Sequence, residues 1–144
     1  MMEQIDLDTL MYPDPRDVGQ RKTPTEMVKE YAKVSGQKPD VGLYTDLMWE
    51  EFQEWEAETE RDLGYNLSSS DHNPTAELKE LADLLYVTYG YANARGWDVE
   101  EALKRVHENN LGRMYQPDGS IKRREDGKII KNPDYPKVTL EDLI

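Results

Sequence analysis

Two acidic stretches constrain what this chain can fold into more than anything else in it. The first is Met48-Trp49-Glu50-Glu51-Phe52-Gln53-Glu54-Trp55, and the second is Glu77-Leu78-Lys79-Glu80-Leu81-Ala82-Asp83-Leu84-Leu85. Both read as helix. Each carries two carboxylates three residues apart, Glu51 with Glu54 and Glu80 with Asp83. Residues at that spacing share a helix face, roughly 5–6 Å apart at Cβ. If the two helices pack side by side, four carboxylates converge, and their mutual repulsion calls for a cation. Hard oxygen ligands suit Mg²⁺, Mn²⁺ or Ca²⁺ rather than Zn²⁺, and magnesium held this way usually completes its shell with substrate phosphates. The plainer alternative is a pair of solvated acidic faces. Against it stands the run after Asp83, Leu84-Leu85-Tyr86-Val87-Thr88-Tyr89-Gly90-Tyr91. It is apolar nearly all round and therefore expected to be buried. An Asp entering a buried stretch must be paired, hydrogen-bonded or metal-bound.

Composition narrows the classes further. The 144 residues predict one domain, with an extended arm over 1–22 and an all-α domain over 23–144 whose basic tail begins at 113. The formal charge of −12 argues against duplex nucleic acid as a partner. The chain has no cysteine, so disulfides and thiolate chemistry are excluded. Residues 1–10 carry Glu3, Asp6 and Asp8 and do not read as a signal peptide, and no apolar stretch is long enough to span a bilayer. A cytoplasmic location without membrane contact is expected. The hydrophobic content of 37% is low for an isolated domain, which favours self-association.

Helix signals punctuate the chain in order. Thr23-Pro24-Thr25-Glu26 is a capping box with proline at the first helical position, and Gly36 is the stop. A second helix is predicted from about Val41 to Asp62. Glu58 continues its acidic stripe, and Glu50 sits one position off it, where it could touch a metal-bound water. Trp49, Phe52 and Trp55 belong to packing or a subunit contact, with base stacking by either tryptophan as the alternative. Gly64 to Pro74 reads as a loop, and its His72 as a loop residue rather than a ligand. A third helix follows from about Thr75 to Ala94, in which Gly90 marks close helix packing. A fourth is capped by Asp98 with Glu101 as capping-box partner, and ends near Asn110 to Met114. Four helices with short connections predict an all-α, four-helix-bundle-type fold.

The tail changes character. Arg113, Lys122, Arg123, Arg124, Lys128, Lys131 and Lys137 outnumber Asp118, Glu125, Asp126 and Asp134. Ile121 to Lys131 reads as a hairpin about Asp126-Gly127, a pair that favours a type I′ turn. The tail could face substrate phosphates opposite the acidic cage, or neutralise the acidic face of a neighbouring subunit.

Glu-Glu-x-x-Glu followed by Glu-x-x-Asp before an apolar run resembles the all-α, MazG-like nucleoside triphosphate pyrophosphatases. Asn109-Asn110-Leu111-Gly112-Arg113, then Asp118-Gly119, then Asp126-Gly127-Lys128-Ile129-Ile130-Lys131 is similar to their phosphoribosyl-ATP-pyrophosphohydrolase-like branch, with Arg113 where that branch usually has lysine. The resemblance covers about Val28 to Leu143. It implies hydrolysis of an NTP or dNTP to the monophosphate and pyrophosphate, by attack at the α-phosphorus. It also implies Mg²⁺ (or Mn²⁺) held by Glu51, Glu54, Glu80 and Asp83, and a homodimer or homotetramer with active sites at subunit contacts. Glu50 is then the catalytic candidate for orienting water. Asn110, Arg113, Lys122 and Lys131 become candidates for holding phosphates or sugar. A purine substrate such as dGTP is the working choice, phosphoribosyl-ATP the enzymatic alternative, and a non-catalytic acidic docking protein the alternative from another class.

Overall fold

The computed structural model describes residues 21–62 and 72–144. The expected arm over 1–22 therefore lies outside the described residues except for Arg21 and Lys22, as does most of the loop between Gly64 and Pro74. Helix α1 spans Pro24–Ser35. Its capping box forms as the sequence predicts: Glu26 N donates to Thr23 Oγ1 at 3.2 Å, and Thr23 N donates to Glu26 Oε2 at 2.8 Å. These bonds satisfy amides that a helix start leaves without intrahelical partners. Helix α2 spans Val41–Asp62 and α3 spans Pro74–Arg95. Asn73 caps α3, its Oδ1 accepting from the amides of Thr75 and Ala76.

Helix α4 spans Val99–Arg113. Asp98 Oδ1 accepts from Glu101 N at 3.1 Å, but the Glu101 carboxylate does not return to the cap. It accepts from Arg105 Nε instead, at 3.0 Å, because a charged partner one turn on outcompetes a backbone amide. Strands β1 (Lys122–Arg123) and β2 (Ile129–Ile130) make the expected antiparallel hairpin, with Lys122 opposite Ile130 and Arg123 opposite Ile129. Its turn is not type I′. That turn needs two residues at positive φ, and here only Gly127 has one (φ 85°). Arg124 N donates to Lys128 O and Gly127 N to Arg124 O, which is the longer loop with glycine at a bulge. A 3₁₀ turn at Glu141–Leu143 ends the described chain's regular structure.

Helix α2 runs along α3, and α1 lies on α3 as well. The buried apolar residues are Val28 of α1, Tyr44 of α2, and Val87 and Ala92 of α3. Tyr31 and Tyr86 meet edge to face, 6.0 Å between centroids, tying α1 to α3. The tightest contact is Tyr44 on Gly90. A Cβ built at residue 90 would lie 2.1 Å from Tyr44 Cε1, so the ring occupies the space a side chain would need. Among the described residues all four expected helices are present, and three of them pack together. Helix α4 makes only slight contact with the other helices. It is joined to α1 by Thr25 N donating to Glu100 Oε1 at 3.2 Å, and its side chains turn instead to the C-terminal segment.

The run Leu84 to Tyr91 is not buried all round as expected. Val87 and Gly90 are buried, but Leu85 and Tyr86 are exposed, because α1 and α2 cover only part of α3's circumference. Among the described residues no helix is long and apolar enough to cross a membrane.

Candidate metal centre and active site

Helices α2 and α3 meet in register. Tyr44 lies on Gly90, Glu51 feels the charge of Asp83, and Glu54 and Glu80 join Glu51 in one cluster. These pairs advance along α2 while they retreat along α3, so the two helices are antiparallel. The acid set stands about two helical turns from the Tyr44–Gly90 contact on both helices.

One carboxylate oxygen from each of Glu51, Glu54 and Glu80 lies within 4.8 Å of the others. Glu51 and Glu80 are half-buried, and Glu54 is exposed. Glu51 Oε2 and Glu80 Oε2 are buried oxygens with no hydrogen-bond partner among the described residues. A buried carboxylate oxygen left this way is costly unless something positive approaches it. Burial pushes the Glu51 carboxyl above its ordinary pKa, and the negative charges of Glu54, Asp83 and Glu80 push it in the same direction. An all-oxygen set, crowded, under-satisfied and open on one side, fits a hard divalent cation such as Mg²⁺ or Mn²⁺.

Asp83, the fourth predicted ligand, stands beside this cluster without belonging to it. Its Oδ2 pairs with Lys79 Nζ at 2.6 Å, and the same ammonium lies 3.5 Å from Glu80 Oε1. Lys79 was not among the sequence candidates, although its i,i+4 spacing to Asp83 is a legible ion-pair signal. Its hydrogen bond to Asp83, and then the charges of Asp83 and Glu80, raise its own pKa. In this arrangement Lys79 neutralises part of the acid set.

The remaining candidates are exposed or half-buried. Glu50 is exposed and outside the cluster. Asn110 is exposed near the end of α4, and Arg113 is half-buried there with Nη1 donating to Asn109 Oδ1 at 3.4 Å. Lys122 on β1 and Lys131 just past β2 are both exposed. Among the described residues, no hydrogen bond or ion pair links these four to Glu51, Glu54, Glu80 or Asp83. His72 is not part of the acid cluster and pairs with Glu77 at 2.7 Å.

The family model described as phosphoribosyl-ATP pyrophosphohydrolase matches residues 19–110. The chain belongs to this family. The match takes in all four acids of the sequence motif, Lys79 and Asn110, and stops short of Arg113 and the hairpin. Membership makes the protein a pyrophosphohydrolase, a hydrolase of phosphoanhydride bonds, and enzymes of this family typically use a divalent metal. Comparison with curated proteins finds no match.

Proposed function

We propose that the protein hydrolyses a nucleoside triphosphate, with a purine deoxynucleotide such as dGTP as the first choice, to the monophosphate and pyrophosphate in a Mg²⁺-dependent reaction. The observation that carries this reading is the Glu51–Glu54–Glu80 cluster, with its two unsatisfied buried oxygens, in a chain of this family. These three residues would hold the cation, and Asp83 would join them if Lys79 swung away into solvent. The metal supplies Lewis acidity toward the phosphoryl oxygens and lowers the pKa of water. Glu50, exposed beside Glu51, would orient the attacking water. The water oxygen bonds to the α-phosphorus, the bridging bond to the β-phosphate breaks, and pyrophosphate departs. Asn110, Arg113, Lys122 and Lys131 would bind phosphate or sugar and offset the developing charge.

A second reading, phosphoribosyl-ATP as substrate, is favoured by the description of the family model itself. It uses the same acids and the same bond cleavage, so the site chemistry treats the two alike. A homodimer or homotetramer in the cytoplasm completes the proposal. Leu78, Leu81 and Leu85 form an exposed stripe at i, i+3 and i+7 of α3, and Trp49 stacks on Phe52 while 62% exposed. Those are the surfaces a second copy would cover.

The test is pyrophosphate release from a panel of NTPs, dNTPs and phosphoribosyl-ATP, with Mg²⁺ and with EDTA, for the parent and for Glu54→Asp. We expect metal-dependent release from one or a few nucleotides. Glu54→Asp is expected to lose at least about tenfold, because a ligand shortened by one methylene no longer reaches. No release from any substrate would leave the acidic face as a docking surface. Full activity in Glu54→Asp would remove the cluster from the mechanism.

A further inference from the structure

Among the described residues, every hydrogen bond and ion pair that ties the segment after Arg113 to the earlier chain ends on α4. The near tie is Asn132 N donating to Arg113 O at 2.7 Å. The far tie is Arg105. Its Nη1 and Nη2 donate to Asp142 Oδ1 and Oδ2 at 2.6 and 2.8 Å, a two-pronged fork, and Nη1 also donates to Thr139 O at 3.1 Å. Nε is turned to Glu101, which fixes the guanidinium from behind. Between these ties the strap is seated by Asn109 Nδ2 donating to Pro136 O at 2.8 Å. The Tyr135 ring rests over Gly112, where an added Cβ would lie 2.1 Å from its hydroxyl oxygen.

The segment that follows the hairpin is thus held to one helix face. Lys131 sits between two pinned neighbours: Ile130 O accepts from Gln116 Nε2 at 2.9 Å, and Asn132 N is the donor to Arg113. Among the described residues the buried apolar core lies on α1, α2 and α3, so releasing the strap leaves that core untouched.

We propose that Arg105 is a positioning residue: by clasping Asp142 and Thr139 to α4, it fixes where the hairpin presents Lys122 and Lys131 to the phosphates of the substrate. The inference rests on the hydrolase reading above, and it names no contact between Arg105 and substrate. A lysine at 105 would keep the charge and lose the planar fork, so the role belongs to arginine's geometry. Gly112 reaches the same strap from another side. An alanine there is compatible with helix and would displace Tyr135 without touching the ion pair.

The experiment uses the full chain as parent, Arg105→Met and Gly112→Ala. It measures amide hydrogen exchange over residues 121–137, Tm, and kcat and KM for whichever panel nucleotide the parent turns over. We expect faster exchange in that segment, a KM raised about tenfold, kcat within about twofold, and Tm near the parent's in both variants, the pattern of lost ground-state binding. Unchanged exchange in both variants would show that the clasp does not hold the strap and would overturn the proposal. Faster exchange with an unmoved KM would overturn the positioning role alone, the hydrolase reading standing. A kcat that falls together with Tm would make Arg105 structural and nothing more. A parent inactive on every nucleotide would overturn the hydrolase reading, and the positioning role with it.

Discussion

Replacing Glu51 with glutamine is expected to raise the Tm of the metal-free protein and, in the same variant, to abolish metal-dependent turnover. Glu51 carries a buried unsatisfied oxygen and faces Glu54, Asp83 and Glu80. Its folded-state pKa is raised, first by burial and then by those charges. The folded chain therefore holds this proton to higher pH than the unfolded chain does. Ionisation of Glu51 costs stability progressively as pH rises from the ordinary carboxylate value through the folded value, and the cost is absent below the ordinary value. Glutamine never ionises. Its thermal advantage over the parent in EDTA should grow as pH rises above the ordinary carboxylate value and vanish below it. Asp118, Asp126 and Asp142 have lowered pKa values and so lose stability as pH falls, but they are common to both proteins and cancel in the difference. Turnover should fall by more than about a hundredfold, since that is the upper range for losing a mere outer-shell partner of a metal site. Equal melting at every pH would show that Glu51 is not strained by its neighbours. Retained turnover would show that it holds no metal.

Gly90→Ala is expected to destabilise the fold by about 1–3 kcal/mol, the usual range for overpacking a filled core, even after the roughly 1 kcal/mol that alanine gains over glycine within a helix. The added methyl would meet the Tyr44 ring at 2.1 Å, and that ring is only 5% exposed, so it has nowhere nearby to go. Thermal denaturation should show a fall of several degrees. Adding Tyr44→Ala to Gly90→Ala should cost less than the sum of the two single changes, because the alanine methyl then occupies vacated space. Additive costs would mean that the two residues do not share one contact.

The helices were legible because local chemistry and tertiary packing agree on them. Thr23 and Glu26 cap α1 as their spacing predicts, and the limits of α2 at Val41 and Asp62 coincide with the expected ones. Where side chains had a choice, the sequence was ambiguous. Glu101 had both a cap and Arg105 within reach and went to the arginine. Asp126-Gly127 carries the composition of a two-residue turn, but Asp126 keeps a negative φ and the hairpin closes around a longer loop. In the site, the spacing of the acids points to Glu51, Glu54 and Glu80, and the i,i+4 spacing of Lys79 to Asp83 is equally legible but goes unused when Asp83 is read as a ligand rather than as half of an ion pair. The Arg105–Asp142 clasp was out of reach altogether, since no periodicity relates residues so far apart in the chain. Burial of α3 was overestimated because a hydrophobic run records what must be covered, not which surface covers it.

With a cation held by the acids as proposed, the seat of Tyr44 on Gly90 would also make the gap between α2 and α3 a gauge for ion size. Ligands from opposite helices can approach a shared ion only as closely as their backbones allow, and a glycine under an aromatic ring sets that allowance. Oxygen–magnesium distances are about 2.0–2.1 Å and oxygen–calcium distances about 2.3–2.6 Å, so a few tenths of an ångström of spreading separates one ion's preferred shell from the other's. On that proposal, a wedge at residue 90 that leaves the protein folded should move divalent-ion preference from magnesium toward the larger ions, with Glu51, Glu54 and Glu80 unchanged.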